Sequence, residues 1–140
     1  MSTLAAGPFR HHAWATDRLI EFCAGLPEER LAAAAPTAYG TTVETLAHLV
    51  SSEAYYVFAL TGRWTDPLLD DDAPIALDDL RNRARRTGEV LVEAAERTKP
   101  DAVVNLPRRG EERSLPVAAV LALVVPAARR DRWDACAHRL

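Results

Sequence analysis

An all-α fold, a four-helix bundle, is what the sequence predicts, on three observations. Four segments carry apolar side chains at three- and four-residue spacing, prolines and glycines punctuate the gaps between them, and no stretch alternates strictly as a half-buried strand would. Length supports one compact domain, placed at residues 9–140, large enough to fold on an apolar core without disulfides or a structural metal.

The first helix is expected from about Phe9 to Gly25. Phe9, His12, Ala13, Thr16, Ile20 and Cys23 fall on one face, and Gly25 and Pro27 end it. The second is expected from about Thr42 to Thr61. Thr41 and Glu44 form a capping box, and Gly62 suits the residue after the last turn. Leu46, Leu49, Val50, Val57 and Leu60 share its inner face with one acid, Glu53. Glu44, His48, Ser52, Tyr55 and Ala59 lie on the opposite side.

The proline-marked loop 63–76 is long enough to carry the chain back along a helix, so the second and third helices need not be antiparallel. The third helix is expected from about Leu77 to Thr98. Leu80, Ala84, Thr87, Leu91 and Ala94 face inward, while Arg81, Arg83, Arg85 and Arg86 face mostly solvent. Residues 101–113 read as a connection, with a short extended piece at Val103 and Val104. The fourth helix is expected to start at Ser114 as N-cap, with Pro116 in the first turn. Pro126 should kink or break it, because the ring removes a hydrogen bond and strikes the Ala122 carbonyl.

Composition narrows the function classes. With 49% hydrophobic residues and a net charge of −3, the chain is neither disordered nor a general nucleic-acid binder, which would present a basic face. The longest apolar run, Leu115 to Ala128, is interrupted by two prolines and is shorter than the roughly 20 residues of a membrane span. The N-terminus has no basic region followed by an apolar stretch. Cys23 and Cys136 have no zinc or redox spacing and read as reduced thiols. A cytoplasmic protein that binds neither nucleic acid nor membrane is the expectation. Phosphate-binding glycine loops and the GxSxG elbow do not occur.

Three stretches together resemble a known family. They are His12-Ala-Trp14-Ala15-Thr-Asp-Arg-Leu19, Thr45-Leu46-Ala47-His48-Leu49-Val50-Ser-Ser-Glu53, and Leu60-Thr-Gly62, followed by Leu115 to Val125 at the start of the last helix. Their order and spacing resemble the DinB/YfiT-like bundle proteins over about residues 9–136. The resemblance implies a bacterial four-helix bundle, often a homodimer. It also implies a divalent metal, commonly nickel or zinc, held by one histidine of the second helix and an HxxxH pair of the last. Some members transfer low-molecular-weight thiols such as mycothiol or bacillithiol, or isomerise maleylpyruvate with a thiol cofactor.

On this resemblance the first ligand falls on His48, and the pair falls on Ala127 and Asp131. Alanine cannot ligate, whereas a carboxylate is an acceptable zinc or nickel ligand. His48 and Asp131 are therefore the metal candidates, set against the plainer readings of a helix-face histidine and a solvated acid among arginines. His12, Glu53 and Tyr55 are candidates for a pocket binding a small molecule. His12 reads alternatively as a core histidine satisfied by Glu53 or a carbonyl. Trp14, Tyr56 and Trp64 are expected to pack, and packing is also the plainer reading of Tyr55. The leading expectation is a DinB-like protein with an incomplete metal site, weakly catalytic or non-catalytic. The alternatives are a metal-dependent thiol S-transferase or maleylpyruvate-isomerase-like enzyme using His48, and a structural homodimer.

Overall fold

A computed structural model describes residues 6–34, 39–69, 73–99, 101–108 and 111–122. Helix α1 spans Gly7–Ala24 and buries Phe9, His12, Thr16, Leu19, Ile20 and Cys23, the expected face with Leu19 added and Ala13 only partly buried. A single unanticipated turn, α2 (Glu28–Leu31), follows Pro27 with Glu28 and Glu29 in its first turn. Helix α3 (Thr42–Thr61) begins at a complete capping box. Glu44 N donates to Thr41 Oγ1 at 3.2 Å, and Thr41 N donates to Glu44 Oε2 at 2.6 Å. It ends at Gly62, whose φ of 73° is the left-handed conformation a Cβ would strain. Helix α4 (Leu77–Arg97) carries Asp78 and Asp79 in its first turn, where the helix dipole favours acids. Its buried stripe is Leu80, Ala84, Thr87, Gly88, Leu91 and Ala95, with Ala95 in the place expected for Ala94.

The core has two apolar clusters. One gathers Leu19, Ile20 and Cys23 of α1 with Leu46, Leu49 and Val50 of α3 and Leu80 and Ala84 of α4. The other gathers Phe9, Val57, Leu91 and Ala95 with Val117 and Leu121. Along α1 the chain passes from the second cluster to the first, and along α3 and α4 from the first to the second. Helices α3 and α4 therefore run in the same sense, opposite to α1. The segment after Gly62 carries the chain back, as its length suggested. It is tied to α4 by Arg83 Nη1 donating to the Pro67 carbonyl at 2.6 Å and by the Arg86–Asp66 ion pair at 2.7 Å. Thr65 and Thr87 hydroxyls add a 3.1 Å contact.

The all-α expectation needs correction between residues 103 and 116. Strands β1 (Val103–Arg108) and β2 (Glu111–Pro116) pair antiparallel, with Val104 opposite Leu115 and Asn105 opposite Ser114. Helix does not begin at Ser114. The residue before a proline is pushed out of the α region, which holds Leu115 extended ahead of Pro116. The Ser114 hydroxyl donates across the hairpin to Asn105 Oδ1 at 2.7 Å and is not spent on a cap. Residues 117–122 are helical, entered as Val117 N donates to the Ala102 carbonyl at 2.7 Å. The expected break at Pro126 lies outside the described residues.

Two surface expectations also change. Arg81 and Arg83 are mostly covered by their partners: Arg81 grips Asp17 through Nε (2.8 Å) and Nη2 (3.0 Å), and Arg83 Nε meets Asp79 at 2.8 Å. Trp14 does not pack inward. It is 57% exposed, on the solvent side of α1, with its ring near His11. Trp64 stacks on Phe58 with centroids 4.6 Å apart.

Candidate functional site

Each long helix places polar side chains between its contributions to the two clusters. Helix α1 supplies His12 and Thr16, α3 supplies Glu53, and α4 supplies Thr87, all buried. The stripe spacing dictates this, since His12 and Thr16 lie one turn apart on the face that also carries Phe9 and Ile20. His12 Nε2 and Glu53 Oε1 are in hydrogen-bond contact, and Thr16 Oγ1 donates to the same oxygen at 3.3 Å. Glu53 Oε2 is buried and has no hydrogen-bond partner among the described residues. A carboxylate taken out of water is stabilised only by such contacts, so these donors decide whether Glu53 is tolerated.

His48 occupies a different side of α3, five residues before Glu53, and is partly buried. The Tyr39 ring stacks on its imidazole with centroids 3.8 Å apart and planes inclined by 23°. Ser52 Oγ, one turn along, lies 3.5 Å from Nε2. Tyr55 sits about 200° round α3 from Glu53 and meets the ring of Tyr56 edge-on at 6.0 Å. Of the three proposed pocket residues, the structure thus joins His12 to Glu53 and leaves Tyr55 on another side. Asp131 and Ala127 lie outside the described residues. Among those described, no three His, Cys, Asp or Glu side chains are grouped to hold one metal ion.

Between α1 and α4 runs an open groove of about 550 Å³, with Ala13 and Gly88 in its lining. Asp17 borders it and is held by two guanidinium groups. The hydrogen bond from Arg81, with a further one from Arg85, lowers its carboxyl to about 2 against the opposing effect of partial burial. A smaller cavity of about 30 Å³, lined in part by Val50, Ala54, Trp64 and Leu69, has room for water and little more. No helix among the described residues is long and apolar enough to cross a membrane.

The DinB-family model matches residues 1–126, which include α1, α3, α4, the hairpin and the start of the following helix. The chain belongs to the DinB family. No curated protein and no solved structure matches it. Within this DinB-family chain, sequence reasoning reached His12, Glu53 and His48, and placed Ser52 only on the same helix face as His48; it did not reach Tyr39. The only signal available for Tyr39 was its place two residues before the Thr41 cap, which returns a loop side chain over the first turns of α3.

Proposed function

We propose that this DinB-family protein is a four-helix bundle whose divalent-metal site is incomplete, and that it acts by binding a small molecule and not by metal-dependent thiol transfer. The four helices of that reading are α1, α3, α4 and the one begun at residue 117, within a single domain. The observation that carries it is the donor set. His48 stands at the ligand position of the second long helix, and the contacts described for it include a phenol ring and a hydroxyl, neither of them a strong zinc or nickel donor. The two remaining positions hold Ala127 and Asp131. A working zinc site normally keeps three protein ligands, and His48 with Asp131 makes two. These residues do not fit a resident zinc or nickel ion. The open α1–α4 groove, about 550 Å³ and lined largely by charged side chains such as Arg10, Asp17, Arg85 and Glu96, is the place this reading gives to a polar small molecule.

The test is calorimetric titration of the full chain, purified without a histidine tag, with zinc and with nickel. The expected result is no submicromolar binding. Submicromolar binding that disappears in His48→Ala would overturn the proposal and favour the thiol-transferase reading.

A further inference from the structure

We infer that Tyr39 is a cover over His48, a positioning residue that fixes the imidazole and shields it from solution; the inference rests on reading His48 as the site residue. The stack is built by the chain entering α3. Gly40 has φ of 88°, a left-handed conformation, and a Cβ there would run into the Glu44 carboxylate. That carboxylate is itself committed to Thr41 N in the capping box. Thr41 pairs with Ala34 in an isolated bridge, and Thr42 N and Oγ1 donate to the Ala33 and Arg30 carbonyls at 3.2 Å each. Thr41 and Thr42, directly after Tyr39 and Gly40, are thereby fixed against residues 30–34, and the Tyr39 ring lies with its centroid 3.8 Å from that of the imidazole two turns into the helix.

Tyr39 itself is 54% exposed. Its outer face meets solvent, so the ring can leave His48 without disturbing either core cluster. A reagent or ligand that approaches His48 from the stacked face of its imidazole needs that departure first. The stack also sets the imidazole plane, keeping Nε2 towards Ser52.

The experiment is the rate of carbethoxylation of each histidine by diethyl pyrocarbonate, mapped by peptide mass on the full chain. Exposed His11 and buried His12 serve as internal references. Tyr39→Ala should speed modification of His48 by about threefold to tenfold, the opening factor of one aromatic stack, with His11 unchanged. Tyr39→Phe, which keeps the ring, should react as the wild type does. In proton NMR the wild-type His48 ring protons should be shifted upfield by the tyrosine ring, and should lose that shift in Tyr39→Ala. An unchanged His48 rate in Tyr39→Ala overturns the cover, as does a Tyr39→Phe rate equal to that of the alanine variant. Should His12 gain reactivity in step with His48, the substitution has loosened the whole fold. The wild-type shift then decides, and its absence overturns the inference. Tight zinc binding, by contrast, overturns the incomplete-site reading and leaves the cover standing.

Discussion

His12 of α1 and Glu53 of α3 meet in the middle of the helical core, imidazole Nε2 to carboxylate Oε1, with both side chains buried. Neither belongs to an apolar cluster, and the same Glu53 oxygen also accepts from Thr16. Removing one member of a buried pair strands the other, at a cost of about 3–5 kcal/mol, whereas replacing both by apolar groups of similar volume is often close to neutral. His12→Leu and Glu53→Leu should each lower the urea midpoint strongly, and the double variant should recover most of the loss. Additive losses would show that the two side chains do not act as a pair.

Asp17 supplies a pH dependence with a definite sign. Its carboxyl is lowered from the usual 3.8 to about 2, chiefly by the Arg81 hydrogen bond. A depressed folded-state value means the unfolded chain binds the proton first. The stabilisation is therefore complete above about 4 and lost as pH falls through about 2. Asp17→Asn should flatten the fall in stability across that window, measured by thermal unfolding at stepped pH. Added salt should trim the wild-type effect, since Arg85 is half exposed. An identical pH profile in Asp17→Asn would remove this carboxylate as the cause.

Helix α3 was legible from both ends, because Thr41-x-x-Glu44 and Gly62 are local chemistry that tertiary packing had no reason to override. Its buried Glu53 was legible too, as an acid on an apolar face that needs a donor, and His12 stood on the matching face of α1. Contacts made across helices were not. The pairing of Asp17 with Arg81 depends on which faces of α1 and α4 meet, and no periodicity within either helix encodes that. Tyr39 lies in a turn, where side chains have no repeating face.

Of the hairpin only the extended start at Val103 and Val104 was legible, and the rest was hidden for another reason. Glu111-Glu112-Arg113 offers no apolar alternation, and Ser114 two residues before Pro116 imitates a helix start. The restriction that proline places on Leu115 outweighed the capping preference. Ser114 and Asn105 should consequently be coupled. A double-mutant cycle with Ser114→Ala and Asn105→Ala should give an interaction of about 0.5–1 kcal/mol. A serine acting only as a helix cap would show none with a residue of the opposite strand.

Gly88 of α4 packs directly against Ala13 of α1. A Cβ built on it would lie 2.9 Å from the Cβ of Ala13, nearer than two such atoms can approach. Two effects of Gly88→Ala oppose each other. Alanine in a helix interior is favoured over glycine by about 1 kcal/mol. Overpacking a tight contact costs typically about 1–3 kcal/mol. The opposing atom is a Cβ fixed directly to its backbone, not the end of a flexible chain, so relief requires moving a helix, and the packing cost should win. Gly88→Ala should therefore lower the melting temperature. The decisive measurement is the effect of Ala13→Gly in two backgrounds. Alone it should destabilise, through helix propensity. Combined with Gly88→Ala it opens the space the new methyl group needs, and its effect should shrink to nothing or change sign. A Gly88→Ala protein more stable than the wild type would mean that the two helices separate at little cost, and that their contact at Ala13 does not set the spacing of the groove.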